Sequence, residues 1–144
     1  MHFIVLGAGA IGCYVGGRLA EYGQAVTLVG RAHALQPIAA QGLRVSDLDG
    51  FDRTVPATAL RLAATLAEAA PGADSIVLLC VKSGATEFTA RELAAACAPG
   101  TPVVSLQNGV DNVARVKALA PGLNVLAGMV PYNVVLRGAH VHRA

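Results

Sequence analysis

The sequence predicts a doubly wound α/β fold, a parallel sheet with helices on both faces, carrying a small β-hairpin insertion. Three observations point there. Apolar runs of strand length alternate with segments of helical periodicity along the chain. Hydrophobic residues make up 54% of the 144 residues and charged residues 14%, the balance of a sheet covered on both faces rather than of a disordered chain. The first apolar run, Phe3-Ile4-Val5-Leu6, passes directly into Gly7-Ala8-Gly9-Ala10-Ile11-Gly12 and then into a helical segment.

That helical segment carries Ile11, Val15, Leu19 and Tyr22 at the spacing of one face. Strand, Gly-x-Gly-x-x-Gly and helix, in that order, form the signature of a dinucleotide-binding turn. Gly7 permits the sharp turn out of the strand, Gly9 lets backbone approach a pyrophosphate, and Gly12 lets the helix pack close to the strand. The first N–H groups of the helix and its positive dipole end then face the phosphates. Gly7, Ala8, Gly9, Ala10, Ile11 and Gly12 are therefore cofactor-binding candidates. Gly16 and Gly17 each cost about 1 kcal/mol relative to Ala inside a helix, a cost that close packing against the sheet would offset.

Gly23 stops this helix, and Ala25–Val29 reads as a second buried strand. The residues at the end of that strand bear on cofactor choice. A domain for NAD usually carries Asp or Glu there, accepting hydrogen bonds from the ribose hydroxyls. Here the strand ends Val29-Gly30-Arg31, with no carboxylate to repel a 2′-phosphate and a guanidinium able to bind one. The expectation is NADPH rather than NAD; the plainer alternative is a solvated arginine at a strand end.

Ala34–Gln41 is a short helical candidate ending at Gly42, with Pro37 confined to the first turn or kinking it. Leu43–Ser46 and Phe51–Val55 flank Asp49-Gly50, a two-residue hairpin signal, and form the expected insertion with one more solvated face. Leu66–Ala70 is a short helix closed by Pro71-Gly72. Ser75–Val81 is a continuous apolar run suited to a central parallel strand, followed by Lys82-Ser83. Ala90, Leu93, Ala94 and Cys97 mark a helix face. Thr101–Leu106 is a strand ending in Gln107-Asn108-Gly109, and Asp111 caps a helix whose inner face includes Ala114 and Leu119. Asn124–Val130 is the last parallel strand, and Asn133–Leu136 and Ala139–His142 form an extended pair turning at Arg137-Gly138.

Composition excludes several function classes. A formal net charge of +2 and 4% aromatic residues offer neither the basic surface nor the stacking platforms of a nucleic-acid binder. No apolar run reaches the roughly 18 residues of a membrane span, and the glycine-rich start lacks the basic n-region of a signal peptide. Cys13, Cys80 and Cys97 have no metal or redox spacing and read as small apolar residues in a reducing, cytoplasmic compartment. His140 and His142 would face one side of a strand, but without a third ligand no metal site is expected. No Gly-x-Ser-x-Gly nucleophile elbow occurs, and Asp47 and Asp49 are explained by turn chemistry.

In a doubly wound sheet, ligands bind beyond the carboxyl ends of the strands, where Arg31, Lys82 and Asn108 fall. At this point a family is recognisable. Gly7–Gly12, Val29-Gly30-Arg31, Cys80-Val81-Lys82-Ser83, Ser105-Leu106-Gln107-Asn108-Gly109-Val110 and Met129-Val130-Pro131-Tyr132-Asn133 resemble the ketopantoate reductase (2-dehydropantoate 2-reductase) family, from Phe3 to the end of the chain. The resemblance implies a Rossmann-type sheet and NADPH-dependent reduction of a 2-keto acid, ketopantoate to pantoate, in pantothenate biosynthesis. It matches Arg31 to the arginine for the 2′-phosphate, Lys82 to the lysine of the cofactor groove, and Asn108 to the asparagine near the nicotinamide and substrate, for which an orienting role is expected. Some members carry Gln three residues beyond that lysine; Ala85 stands here.

Members of the family continue into a helical second domain with a general-acid lysine and a substrate-binding glutamate. Lys82 and Lys117 are the two lysines of this chain, and neither matches that position. Residues 1–144 are therefore expected to be the cofactor domain alone, inactive by itself, with the C-terminal domain or a homo-oligomer partner completing the site. Two alternatives stay open: the cofactor half of another NADP-linked 2-keto or 3-hydroxy acid dehydrogenase, and a stand-alone NADPH-sensing module.

Overall fold

The computed structural model describes residues 1–109 and 111–144; Val110, the last residue of the Ser105–Val110 motif, lies outside the described residues. The chain opens with β1 (His2–Leu6), α1 (Ala10–Glu21), β2 (Ala25–Val29) and α2 (Ala32–Gln41). A hairpin comes next, β3 (Leu43–Asp47) and β4 (Asp52–Val55), and then β5 (Arg61–Ala63) and α3 (Leu66–Ala69). The second half runs β6 (Ser75–Leu79), α4 (Thr86–Ala96), β7 (Pro102–Ser105), α5 (Asn112–Leu119), β8 (Asn124–Ala127), β9 (Val134–Arg137) and β10 (His140–Arg143).

Six strands make one parallel sheet in the order β5-β2-β1-β6-β7-β8, the doubly wound arrangement that the alternating sequence pattern predicts. Its order reverses between β1 and β6. There Leu6 lies level with Val29 on one side and Leu79 on the other, so three strands end in one row. Successive residues of β1 point to opposite cores: Ile4 and Leu6 pack with Leu93, Val103 and Val116 on one face, and Val5 packs with Cys13, Leu28 and Val45 on the other.

The hairpin insertion does not stand alone. β10 pairs in parallel with β3 and antiparallel with β9, giving a second sheet in the order β4-β3-β10-β9. This sheet and the main one hold α1 between them. A Cβ added at Gly16 would stand 2.8 Å from Leu28 Cδ2 of the main sheet, and one at Gly17 would stand 2.6 Å from Val45 Cγ2 of the second. The offset anticipated for both glycines thus comes from two sheets rather than one. It also moves the inner face of α1: Gly12, Cys13, Tyr14, Gly16 and Gly17 are buried, whereas Ile11, Val15 and Leu19 are only partly so and Tyr22 is exposed.

A polar clasp fastens the second sheet to α1. The buried Asp47 carboxylate accepts the N–H groups of Asp49 at 2.9 Å and Phe51 at 3.1 Å. It also pairs with Arg18 at 3.2 Å and Arg143 at 3.6 Å. Burial alone would raise its pKa; the two amides and Arg143 outweigh that and hold the carboxyl below its ordinary range. The same side chain widens the expected two-residue hairpin, because its amide bonds hold a three-residue loop, Leu48 to Gly50, with Gly50 at φ +93°.

Three further expectations are corrected, and one strand was not foreseen. Pro37 lies inside α2, which begins earlier than anticipated, at Ala32. β5 went unread because three residues show no period. Ala94 and Ala114 are exposed; the inner faces use Thr86, Thr89, Ala90 and Leu93 in α4, and Asn112 and Val116 in α5. Asp111 occupies the N-cap position of α5 without a side-chain capping bond.

Candidate functional site

The glycine turn sits where the order of the main sheet reverses, in a place defined by steric exclusion. Gly7 has φ +116°, and a Cβ there would stand 2.8 Å from the Cys80 carbonyl carbon. A Cβ on Gly12 would come within 2.0 Å of the Gly7 carbonyl oxygen. Gly9 is the opposite case: its backbone is extended (φ −87°, ψ −164°) and, among the described residues, an added Cβ would meet nothing within 4 Å. The first bond of α1 joins the Cys13 N–H to the Gly9 carbonyl at 2.9 Å, which leaves the N–H groups of Ala10, Ile11 and Gly12 without intrahelical acceptors. No acidic residue occupies the first turn of α1 to compete for them. The open face of the turn is thus a concave set of N–H donors at a positive helix end.

Two loops flank this turn. On one side, Gly30 packs so close to Ala8 that an added Cβ would lie 2.7 Å from the Ala8 Cβ. The next residue, Arg31, is exposed at the N-cap of α2 and makes no ion pair among the described residues. On the other side, Cys80 abuts Gly7, and Lys82 stands two residues on, exposed, at the start of a 3-10 turn over Ser83–Ala85. Burial pushes the Cys80 thiol up to about 12, so it stays neutral beside the turn. Asn108 is exposed beyond β7, and with Ile11, Pro131, Tyr132 and Asn133 it lines a cavity of about 390 Å³. Arg31, the glycine turn and the Lys82–Asn108 edge therefore lie along one rim of the sheet.

Sequence reasoning missed what holds the Lys82–Asn108 edge together. Gln107 donates to the Val81 carbonyl at 3.1 Å and the Thr86 hydroxyl at 2.9 Å, and accepts from Ser105 at 3.0 Å. Thr86 donates to the Asn112 side-chain oxygen at 3.0 Å. Asn112 donates to Ser83 Oγ at 3.1 Å and the Asn108 carbonyl at 2.7 Å, and Ser83 donates to that carbonyl at 3.0 Å. The only sequence signal was two polar residues, Thr86 and Asn112, at the first positions of their helices, which capping chemistry also explains.

Elsewhere, His140 Nε2 and His142 Nδ1 do face one side, each sharing Ser46 Oγ, at 2.7 and 2.8 Å. Among the described residues no group of three or more His, Cys, Asp or Glu is placed to hold a metal ion, and no helix is long and apolar enough to cross a membrane.

Comparison with known proteins shows the family. Residues 3–144 match the family model described as ketopantoate reductase PanE/ApbA. A 2-dehydropantoate 2-reductase of Halobacterium salinarum is 37% identical, over 100% of this chain and 43% of its own length. The enzyme of that name from Pyrococcus horikoshii is 34% identical over 95% of this chain and 42% of its own. A PanE/ApbA family ketopantoate reductase from Ralstonia eutropha superposes with a TM-score of 0.87 at 38% identity, covering 99% of this chain and 46% of that one. The chain thus spans less than half the length of the relatives it matches. It belongs to the ketopantoate reductase PanE/ApbA family.

Proposed function

We propose that this chain is the NADPH-binding half of a 2-dehydropantoate 2-reductase, acting on ketopantoate or a similar small 2-keto acid. The observation that carries the reading is the glycine turn at the sheet reversal. Its closed side is too tight for any side chain, and its open side offers helix N–H groups without intrahelical acceptors and, among the described residues, room around Gly9. A dinucleotide fits that donor set. The N–H groups of Ala10, Ile11 and Gly12 would hold the pyrophosphate, with Gly7, Ala8 and Gly9 shaping the approach. Arg31 would hold a 2′-phosphate, since neither Gly30 nor Ala32 beside it supplies a carboxylate for the ribose.

When bound, a reduced nicotinamide supplies the hydride for the keto carbon. The residues of this chain bind and orient. Lys82 lends positive charge beside the turn, and Asn108, on the cavity shared with Ile11, orients the reacting groups. The proton for the developing alkoxide is assigned to the remainder of a longer protein, because neither Lys82 nor Lys117 matches the lysine expected to deliver it. A cytoplasmic setting suits the three free cysteines.

Titration of the chain and of Arg31→Ala with NADPH and NADH, at fixed salt, tests the reading. Charge-assisted hydrogen bonds contribute about 1.5–3 kcal/mol, so the variant is expected to lose about 10- to 150-fold in NADPH affinity while NADH binding stays nearly unchanged. Equal losses for both cofactors would make Arg31 structural, and tighter binding of NADH by the unaltered chain would overturn the cofactor choice. Mixed with ketopantoate and NADPH, the chain alone is expected to show no steady nicotinamide oxidation. Turnover would refute the assignment of the proton donor to another segment.

A further inference from the structure

The loops after β6 and β7 are joined by side chains where backbone bonding stops. The last backbone bond between them among the described residues runs from the Leu106 N–H to the Leu79 carbonyl, at 2.9 Å. Beyond it, five side-chain bonds cross from one loop to the other: Gln107 to Val81 and to Thr86, Thr86 to Asn112, Asn112 to Ser83, and Ser83 to Asn108. Thr86 is fully buried and Asn112 is 3% exposed. An apolar pair would fill this space without the cost of desolvating a hydroxyl and an amide. The polar pair differs in what it reaches. Every one of its partners lies in a segment carrying a residue of the proposed site, Lys82 or Asn108.

We propose that Thr86, Gln107 and Asn112 are positioning residues, whose shared hydrogen bonds clamp the two loops into one unit and so present Lys82 and Asn108 to a bound dinucleotide as a fixed pair. This deepens the NADPH reading and rests on it for the identity of the ligand. The clamp needs no ligand to exist, since all its bonds are internal to the chain. Its consequence for binding is local. The nicotinamide end of a dinucleotide would reach Asn108 and the cavity beside it, whereas an adenosine bisphosphate would engage the glycine turn, Arg31 and the adjoining Lys82 charge but stop short of Asn108.

Thr86→Val keeps the shape and removes the hydroxyl, while Thr86→Ser keeps the hydroxyl. NADPH is expected to bind Thr86→Val about 5- to 10-fold more weakly, with adenosine 2′,5′-bisphosphate binding changed less than about twofold. Thr86→Ser is expected to restore NADPH affinity. A merely structural hydroxyl would lower the melting temperature and shift both ligands equally, which would overturn the proposal. A second readout needs no ligand. The Ala85 amide bonds the Lys82 carbonyl, in the loop across from Asn112. Asn112→Ala is expected to speed hydrogen exchange at that amide by about tenfold relative to the Leu28 amide in β2. Unchanged exchange at Ala85 would also overturn the clamp. Failure of the unaltered chain to bind NADPH would refute the cofactor reading alone, and exchange at Ala85 would still decide the clamp.

Discussion

Two parts of the sheet rim, the glycine turn and the Lys82–Asn108 edge, are built on opposite principles. The glycine turn is held by side chains that are missing: Gly7 and Gly12 sit where a Cβ would collide with backbone, at 2.8 Å from Cys80 and 2.0 Å from Gly7. The Lys82–Asn108 edge is held by side chains that are present, in a circuit where Thr86, Gln107 and Asn112 each make two or three bonds. The difference decides how each part fails. Backbone facing a Cβ has nowhere to move, so one methyl group is enough to break the turn. A hydrogen-bonded circuit loses one link at a time.

Gly12→Ala is the strongest way to break that comparison. The atom its methyl group would meet is a carbonyl oxygen of the turn, not the end of a flexible side chain, so a loss of about 3 kcal/mol or more is expected in urea denaturation. A loss below about 1 kcal/mol would mean that the turn relaxes and that steric exclusion does not define it.

Gly9→Ala sharpens the same comparison from the open side. Among the described residues nothing lies within 4 Å of the added methyl group, and the backbone there is already extended. Stability should therefore fall by no more than about 1 kcal/mol, the usual cost of Ala at an N-cap. The methyl group would instead intrude on whatever approaches the helix N–H groups. Both NADPH and NADH are expected to bind more weakly, by about 1–3 kcal/mol, or about 5- to 150-fold. Unchanged affinity for both would show that the phosphates do not approach Gly9.

The same difference explains how much was legible in the sequence. Steric exclusion leaves a trace, because only glycine satisfies it, and Gly7, Gly9 and Gly12 between a strand and a helix could be read at once. The position of Arg31, on which its proposed role rests, was legible for a related reason: it stands where a carboxylate is usually found. The circuit was not. Thr86, Gln107 and Asn112 are ordinary residues for loops and helix starts. What distinguishes them is a partner 21 to 29 positions away in the chain, found only after the sheet has brought both loops together. Long range also hid the second sheet. β3 and β10 were each foreseen as extended, but their parallel pairing joins residues 96 positions apart, such as Arg44 and His140, and no local period encodes it. The apolar stripe of α1 seen in the sequence is part-buried in consequence: a helix held between two sheets buries its glycines and leaves Ile11, Val15 and Leu19 at the edge.

Asn108→Ala is expected to have the smallest effect on the fold and isolates what the circuit leaves free. Asn108 enters the hydrogen-bonded circuit through its backbone carbonyl, which accepts from both Ser83 and Asn112. Its side chain is exposed beside the 390 Å³ cavity and makes no hydrogen bond among the described residues. Alanine keeps the carbonyl, so the loops should stay clamped and stability should shift by no more than about 0.5 kcal/mol. An orienting role predicts a selective effect on binding, in which NADPH affinity falls by about threefold, somewhat under 1 kcal/mol, while adenosine 2′,5′-bisphosphate binds as before. A stability loss beyond about 1 kcal/mol would place the side chain inside the clamp rather than on its open face. Equal, undiminished binding of both ligands would leave Asn108 with no part in holding the cofactor and would confine its proposed role to the keto acid.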